Sequence, residues 1–184
     1  MVTLAEQIVA LHDALDAGGV PHAFGGALAL AYHTAEPRAT VDVDINIWSA
    51  VNDASGVLRS LPDAVNWRDT DLTAIRRDGQ VRLHWDRTPV DLFFPQHPLH
   101  AEAERSVEEV PFAAGRIRVL SATHLAVFKA LFNREKDWVD IGELLRYGEV
   151  DVERVERWLA EIVGADDERL VAWGRRVVSA RGRA

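Results

Sequence analysis

The chain has 184 residues, 48% hydrophobic and 27% charged, which suits one well-packed domain, or a core domain with a helical extension, with disorder only at the ends. Its formal charge of -8 argues against loose, nonspecific binding to DNA or other nucleic acid. Zero cysteines exclude disulfides, thiolate metal sites and a cysteine nucleophile, so any metal must sit on carboxylates or histidines, and oxygen ligands point to Mg2+ or Mn2+.

The opening residues show no basic-then-apolar leader and no apolar run approaches the length of a bilayer, so the expected setting is cytoplasmic with no membrane partner. Local basic spots remain at Arg76-Arg77, around Arg134 to Lys136 and in the tail "RRVVSARGRA", each of which reads first as solvated surface charge.

Along the chain, Thr3 and Glu6 form a capping-box pattern, and Ile8, Val9, Leu11 and Leu15 recur at helical spacing until Gly18-Gly19. "HAFGG" predicts a short strand ending in a glycine turn, and "ALALAYH" a short buried helix starting there. "TVDVDINI" alternates strictly, with Val41, Val43, Ile45 and Ile47 on one face and Asp42, Asp44 and Asn46 on the other. Residues 51–60 read as helix. "DLTAIRR", "QVRLHWD" and "PVDLFF" read as three strands, the first two joined at Asp78-Gly79, and "VPFAAGRIRVL" as a strand pair turning near Gly115. From Ala122 the pattern is helical: one segment to about Tyr147, a second over Val152 to Val163, a third from Asp167 to about Ser179.

This order predicts an α+β (mixed α/β) fold: a core over residues 1–120 with a mixed sheet flanked by helices, and a helical section over 121–184 packed on it as one compact unit.

Three features carry chemistry. Asp42 and Asp44, two apart on a strand, point the same way and can lean toward one cation, although the same pattern also describes a solvated strand. Like charges so placed repel unless something neutralises them, and Asp91, alone in the apolar "PVDLFF", is the candidate third acid; an outward-facing edge position explains it equally well. Gly25-Gly26 between strand and helix lets backbone amides approach a phosphate at a helix N-terminus, though most such pairs are only tight turns. In "FKALFNREKDWVDI", one continuous helix would place Lys136 and Asp140 within about 20° of Lys129, with Asn133 about 40° away. A plain amphipathic helix accounts for that stripe too. The seven histidines show no metal-ligand spacing and read as surface or core residues; His33, just before the acidic strand, is the one to watch.

Together these residues resemble the nucleotidyltransferase superfamily of the polymerase-beta type. More narrowly, "FGGALALAYH", "PRATVDVDINI" and "VFKALFNREKDWVDI" resemble the AbiEii and MenT group of bacterial toxin-type nucleotidyltransferases, from about Phe24 to Asp140. The resemblance implies transfer of a nucleoside monophosphate from an NTP to a hydroxyl of a tRNA 3' end or a protein, as the toxin of a toxin-antitoxin system with a cognate antitoxin as partner. It implies Mg2+ or Mn2+ on Asp42, Asp44 and Asp91, with Asp91 helping to activate the attacking hydroxyl. Gly25 and Gly26 would hold the triphosphate, and Lys129 would contact phosphate, oriented by Asp137 or Asp140. Arg38 and Thr40 match nucleotide-site positions of less defined role, as does Lys136. Two departures stand out: Ala27 replaces a common serine, and Lys136 stands where an Arg-Asp pair has its arginine, losing the planar fork. The alternatives are an antibiotic (aminoglycoside-type) nucleotidyltransferase, suited to an acidic surface, and a non-catalytic member that binds a nucleotide or a partner.

Overall fold

The computed structural model describes residues 2–34 and 40–182. The chain divides into two compact units, Met1–Leu28 with Ala39–Leu120, and Ala29–Arg38 with Ser121–Ala184. Where the sequence suggests one unit with a division only at residue 120, the segment Ala29–Arg38 groups with the second body.

The first unit opens with α1 (Leu4–Ala17), capped as its sequence predicts: the Glu6 amide donates to Thr3 Oγ1, and the Thr3 amide donates to Glu6 Oε2 at 2.7 Å. β1 (His22–Phe24) leads into α2 (Gly26–His33), and β2 (Val43–Ile47) follows. After a 3-10 turn (Val51–Asp53) come α3 (Ala54–Ser60) and the two-residue β3 (Val65–Asn66). α4 (Asp69–Asp78), β4 (Gln80–Trp85), β5 (Thr88–Phe93), α5 (Pro98–Arg105), β6 (Glu108–Phe112) and β7 (Gly115–Val119) complete the unit.

The strands form one seven-stranded mixed sheet in the order β3-β4-β5-β2-β1-β7-β6. β2 runs parallel to β5 and β1 parallel to β7; the other neighbours are antiparallel. Ile45, Ile47, Leu83, Val90 and Leu92 are buried, each stabilising the fold by roughly 1.5–3 kcal/mol relative to an exposed side chain. Val41, expected on the same buried face, lies before β2 begins and is 76% exposed.

"DLTAIRR" is helix, not strand. Acidic Asp69 and Asp71 occupy the first turn of α4 and Arg76 and Arg77 its last, matching the helix dipole at both ends. The Arg68 amide donates to Asp71 at 2.7 Å, and Gly79, at φ 66, closes the C-terminus in the left-handed conformation. The short run Leu72-Thr73-Ala74-Ile75, with two β-branched residues, is compatible with either element; the end signals decide.

A histidine pair, His22 buried and His12 half-buried, fastens β1 to α1. His22 Nδ1 donates to the Val20 carbonyl at 2.8 Å, which leaves Nε2 to accept from His12 Nδ1 at 2.9 Å. Desolvation pushes the His22 pKa from its ordinary 6.5 down to about 4, with the Arg118 and His12 charges acting in the same direction.

The second unit is helical beyond Ser121: α6 (Ala122–Phe132), α7 (Glu135–Tyr147), α8 (Val152–Val163) and α9 (Glu168–Arg181). The single segment predicted over 122–147 is two helices. Asn133, at φ 56, takes the left-handed conformation and donates its amide to the Lys129 carbonyl, ending α6, and its side-chain oxygen accepts from Trp138 Nε1 at 2.8 Å. Among the described residues, no helix is long and apolar enough to cross a membrane.

Candidate active site

Within the sheet, β2 lies between β1 and β5, and this brings the acidic strand against the glycine turn on one side and the third acid on the other. The Gly25 amide donates to the Asp44 carbonyl at 2.9 Å, extending the ladder to the start of α2. A Cβ on Gly25 would come within 2.9 Å of Asn46 Nδ2. Gly26 has φ +51, and a Cβ there would overlap the Asp44 carboxylate, with Cγ only 2.6 Å away. The glycine pair therefore seats two side chains of β2, Asn46 and Asp44. A carboxylate at that place also meets the positive end of the α2 dipole.

Asn46, aligned with the acids in sequence but without a role there, is buried and packs its amide against Gly25. Asp42 precedes β2 and is half-buried, and its Oδ1 accepts from Thr40 Oγ1 at 2.6 Å. Thr40 thus orients the first acid. Arg38 lies outside the described residues.

Asp91 is in register with Asp44 on the parallel neighbour strand, so the two carboxylates leave the same face of the sheet side by side. It is 9% exposed. A residue that the sequence reading did not single out holds it: Arg82, opposite Asp91 on β4, donates from Nε to Oδ1 at 2.7 Å and from Nη2 to Oδ2 at 2.6 Å. Charge-assisted bonds to Asp91 raise the pKa of Arg82 first, and the fields of Asp42 and Asp44 add to the rise. Asp44, Asp91 and Arg82 form a row across three adjacent strands.

Among the described residues no group of three or more histidine, aspartate or glutamate side chains is gathered to hold a metal ion. Asp91 instead grips a guanidinium. Asp42 and Asp44 alone still fit a Mg2+-type cation, which uses one or two carboxylates and takes its remaining ligands from water and substrate phosphates.

In the second unit, Lys129 is buried and its Nζ donates to Asp140 Oδ2 at 2.8 Å, with Asp137 Oδ1 at 3.8 Å. Asp137 is fully buried and is held in turn by Arg134, Nε to Oδ2 at 2.6 Å and Nη2 to Oδ1 at 3.1 Å. The four charges cancel. Lys136, expected beside Lys129 on one helix stripe, is exposed, because the left-handed Asn133 separates α6 from α7. The guanidinium fork thought lost at Lys136 is supplied by Arg134.

No family model matches the chain, and no curated protein matches it. Among solved structures it is similar to the antibiotic-resistance factor ANT(2'')-Ia in solution, with a TM-score of 0.54 at 13% identity over 97% of this chain and 91% of that one. The same protein in complex with adenylyl-2''-tobramycin gives 0.53 at 14% identity, covering 97% of each chain. An antigenic nucleotidyltransferase-like protein from Paracoccidioides brasiliensis gives 0.53 at 17%, covering 91% of each. At these identities the likeness establishes the fold, which is the mixed α/β fold of nucleotidyltransferases.

Proposed function

We propose that the chain transfers a nucleoside monophosphate from an NTP to an acceptor hydroxyl and releases pyrophosphate. The observation that carries this reading is the register of Asp44 with Asp91 beside the Gly25-Gly26 turn, in a fold shared with nucleotidyltransferases. Asp42 and Asp44 would hold the divalent cation, Mg2+ or Mn2+. When bound, that cation supplies charge neutralisation for the phosphates and steadies the attacking and leaving oxygens of an in-line displacement.

The chain's own residues do the rest. Thr40 fixes Asp42 through its hydroxyl. Backbone amides at the start of α2 face the triphosphate, where the helix dipole favours anions. The acceptor oxygen bonds to the α-phosphorus as the bond to the pyrophosphate oxygen breaks, and the acceptor proton passes to Asp91. Its carboxylate keeps lone pairs for that proton, since the Arg82 fork takes one on each oxygen. Within the helical unit Lys129 is fixed by Asp140 and Asp137, and it is the resemblance to the toxin-type group that assigns Lys129, Arg38 and Lys136 to the nucleotide phosphates.

The toxin-type reading, with a tRNA or protein acceptor and a cognate antitoxin, rests on the Lys129 to Asp140 pattern. A polycationic antibiotic as acceptor is favoured instead by the formal charge of -8 and by the fold shared with ANT(2'')-Ia. Incubation with each α-labelled NTP and Mg2+ or Mn2+, against total RNA, cell lysate or aminoglycosides, separates them by which acceptor gains label. Asp42→Ala should abolish transfer. No labelled acceptor and no NTP binding would overturn the reading, and binding without transfer would mark a non-catalytic nucleotide-binding member. Growth arrest relieved by Asp44→Ala would favour the toxin branch.

A further inference from the structure

Resting on the proposed function, we infer that Arg82 is a positioning residue that occupies Asp91 and competes with divalent cations for it, so that the protein presents Asp42 and Asp44 alone to the metal. The pair differs from an ordinary exposed cross-strand ion pair, which contributes little. Its carboxylate side chain is only 12% exposed while the arginine is 58% exposed, so the acid is fixed and the cation is the partner able to leave. Both guanidinium contacts are short and two-pronged, a geometry lysine cannot reproduce.

Charge makes the competition specific. While the fork is closed, the charges of Arg82 and Asp91 offset each other, so the pair offers a dication little net attraction. The arginine stands where a second cation would otherwise be drawn to the third acid. It also has somewhere to go: an open depression of about 410 Å³ beside it is lined by Asn66, Trp67, Arg68, Asp71 and His84 as well as Arg82. Asp71 offers a second carboxylate there. Arg82 therefore keeps Asp91 out of the metal's coordination and available to the acceptor hydroxyl, and any direct Asp91–metal bond requires the fork to open first.

Mn2+ affinity, read from the spectrum of free Mn2+ in the absence of nucleotide, tests this on the full chain. Arg82→Gln should tighten Mn2+ binding by about tenfold or more, the water-dielectric limit for removing a unit charge about 6 Å from a dication. Adding Asp91→Asn to that variant should abolish the gain, because Asp91 is the group released. Unchanged or weaker binding by Arg82→Gln, or a gain that survives Asp91→Asn, would overturn the inference. Should the glutamine variant not fold by circular dichroism, Arg82→Lys carries the test: a severalfold tighter affinity supports it and an unchanged or weaker one refutes it. Label transfer by the wild type is scored separately. Transfer without the Arg82→Gln gain sinks this inference alone; the gain without transfer sinks the catalytic reading and leaves the competition standing.

Discussion

Replacing Gly26 with alanine should destabilise the protein through Asp44, and the size of the effect can be isolated. Two terms act together. At φ +51 an alanine sits in the left-handed region, costing about 1–2 kcal/mol. The new Cβ also collides with the Asp44 carboxylate, and displacing a packed side chain adds about 1–3 kcal/mol. Gly19 supplies the control: its φ is +66 and nothing lies within 4 Å of a Cβ there, so Gly19→Ala should show the backbone term alone. In an Asp44→Ala background the nearest obstacle to the Gly26→Ala methyl is the residue-44 Cβ at 3.1 Å, a tight contact without a clash. Chemical denaturation of the two single variants and the double variant should therefore return a coupling of about 1–3 kcal/mol between positions 26 and 44. A Gly26→Ala penalty no larger than that of Gly19→Ala, or one undiminished in the Asp44→Ala background, would refute the idea that the turn is glycine because the acid needs its space.

Three further outcomes follow from contacts described above. His22 is neutral when folded and its pKa falls from 6.5 to about 4, so its stabilisation is complete above pH 6.5 and is lost as pH falls through about 4. Urea unfolding across that window should show a loss approaching 3 kcal/mol, flattened in His22→Gln. Lys129→Met leaves Asp137 and Asp140 buried without their lysine and should lower the unfolding free energy measured in guanidinium by about 3–5 kcal/mol. Thr40→Val removes the hydroxyl that orients Asp42 and should weaken Mn2+ binding by about 10–100-fold with little change in thermal stability.

How far a single sequence reaches is clearest on the acidic strand. Alternation points to β2, with Asp44 on it and Asp42 just before it, and a capping box to α1, because both signals are local. Arg82 escaped notice for a physical reason: on an alternating strand it reads as one more solvent-facing position, and what makes it special is its partner across the ladder. That partner was within reach. A two-residue turn at Asp86-Arg87 pairs Trp85 with Thr88, and counting outward from it sets Arg82 opposite Asp91. A strand over "DLTAIRR" would put a hairpin at Asp78-Gly79, whereas Gly79 caps α4 and the hairpin turns at Asp86-Arg87. The break at Asn133 is harder to read, since helical periodicity continues on both sides of a single residue in the left-handed conformation. The alignment of Asp44 with Asp91 belongs to parallel neighbours separated by α3, β3, α4 and β4, and no local pattern specifies such a register.

The membership of Ala29–Arg38 in the helical unit has a consequence for how that unit can exist as a polypeptide. The chain passes between the two bodies at residues 28–29, 38–39 and 120–121, so the helical body is built from two separate stretches of sequence. Its earlier stretch brings buried Ala29 and Leu30, and the His33 carbonyl lies 3.3 Å from where a Gly148 Cβ would stand. A fragment beginning at Ser121 would lack those partners, and expression of residues 121–184 alone should yield a loosely packed helical peptide that is tightened by a synthetic peptide spanning α2. During synthesis on the ribosome, the early stretch would likewise wait for some eighty residues of sheet to emerge before its own half of the core arrives.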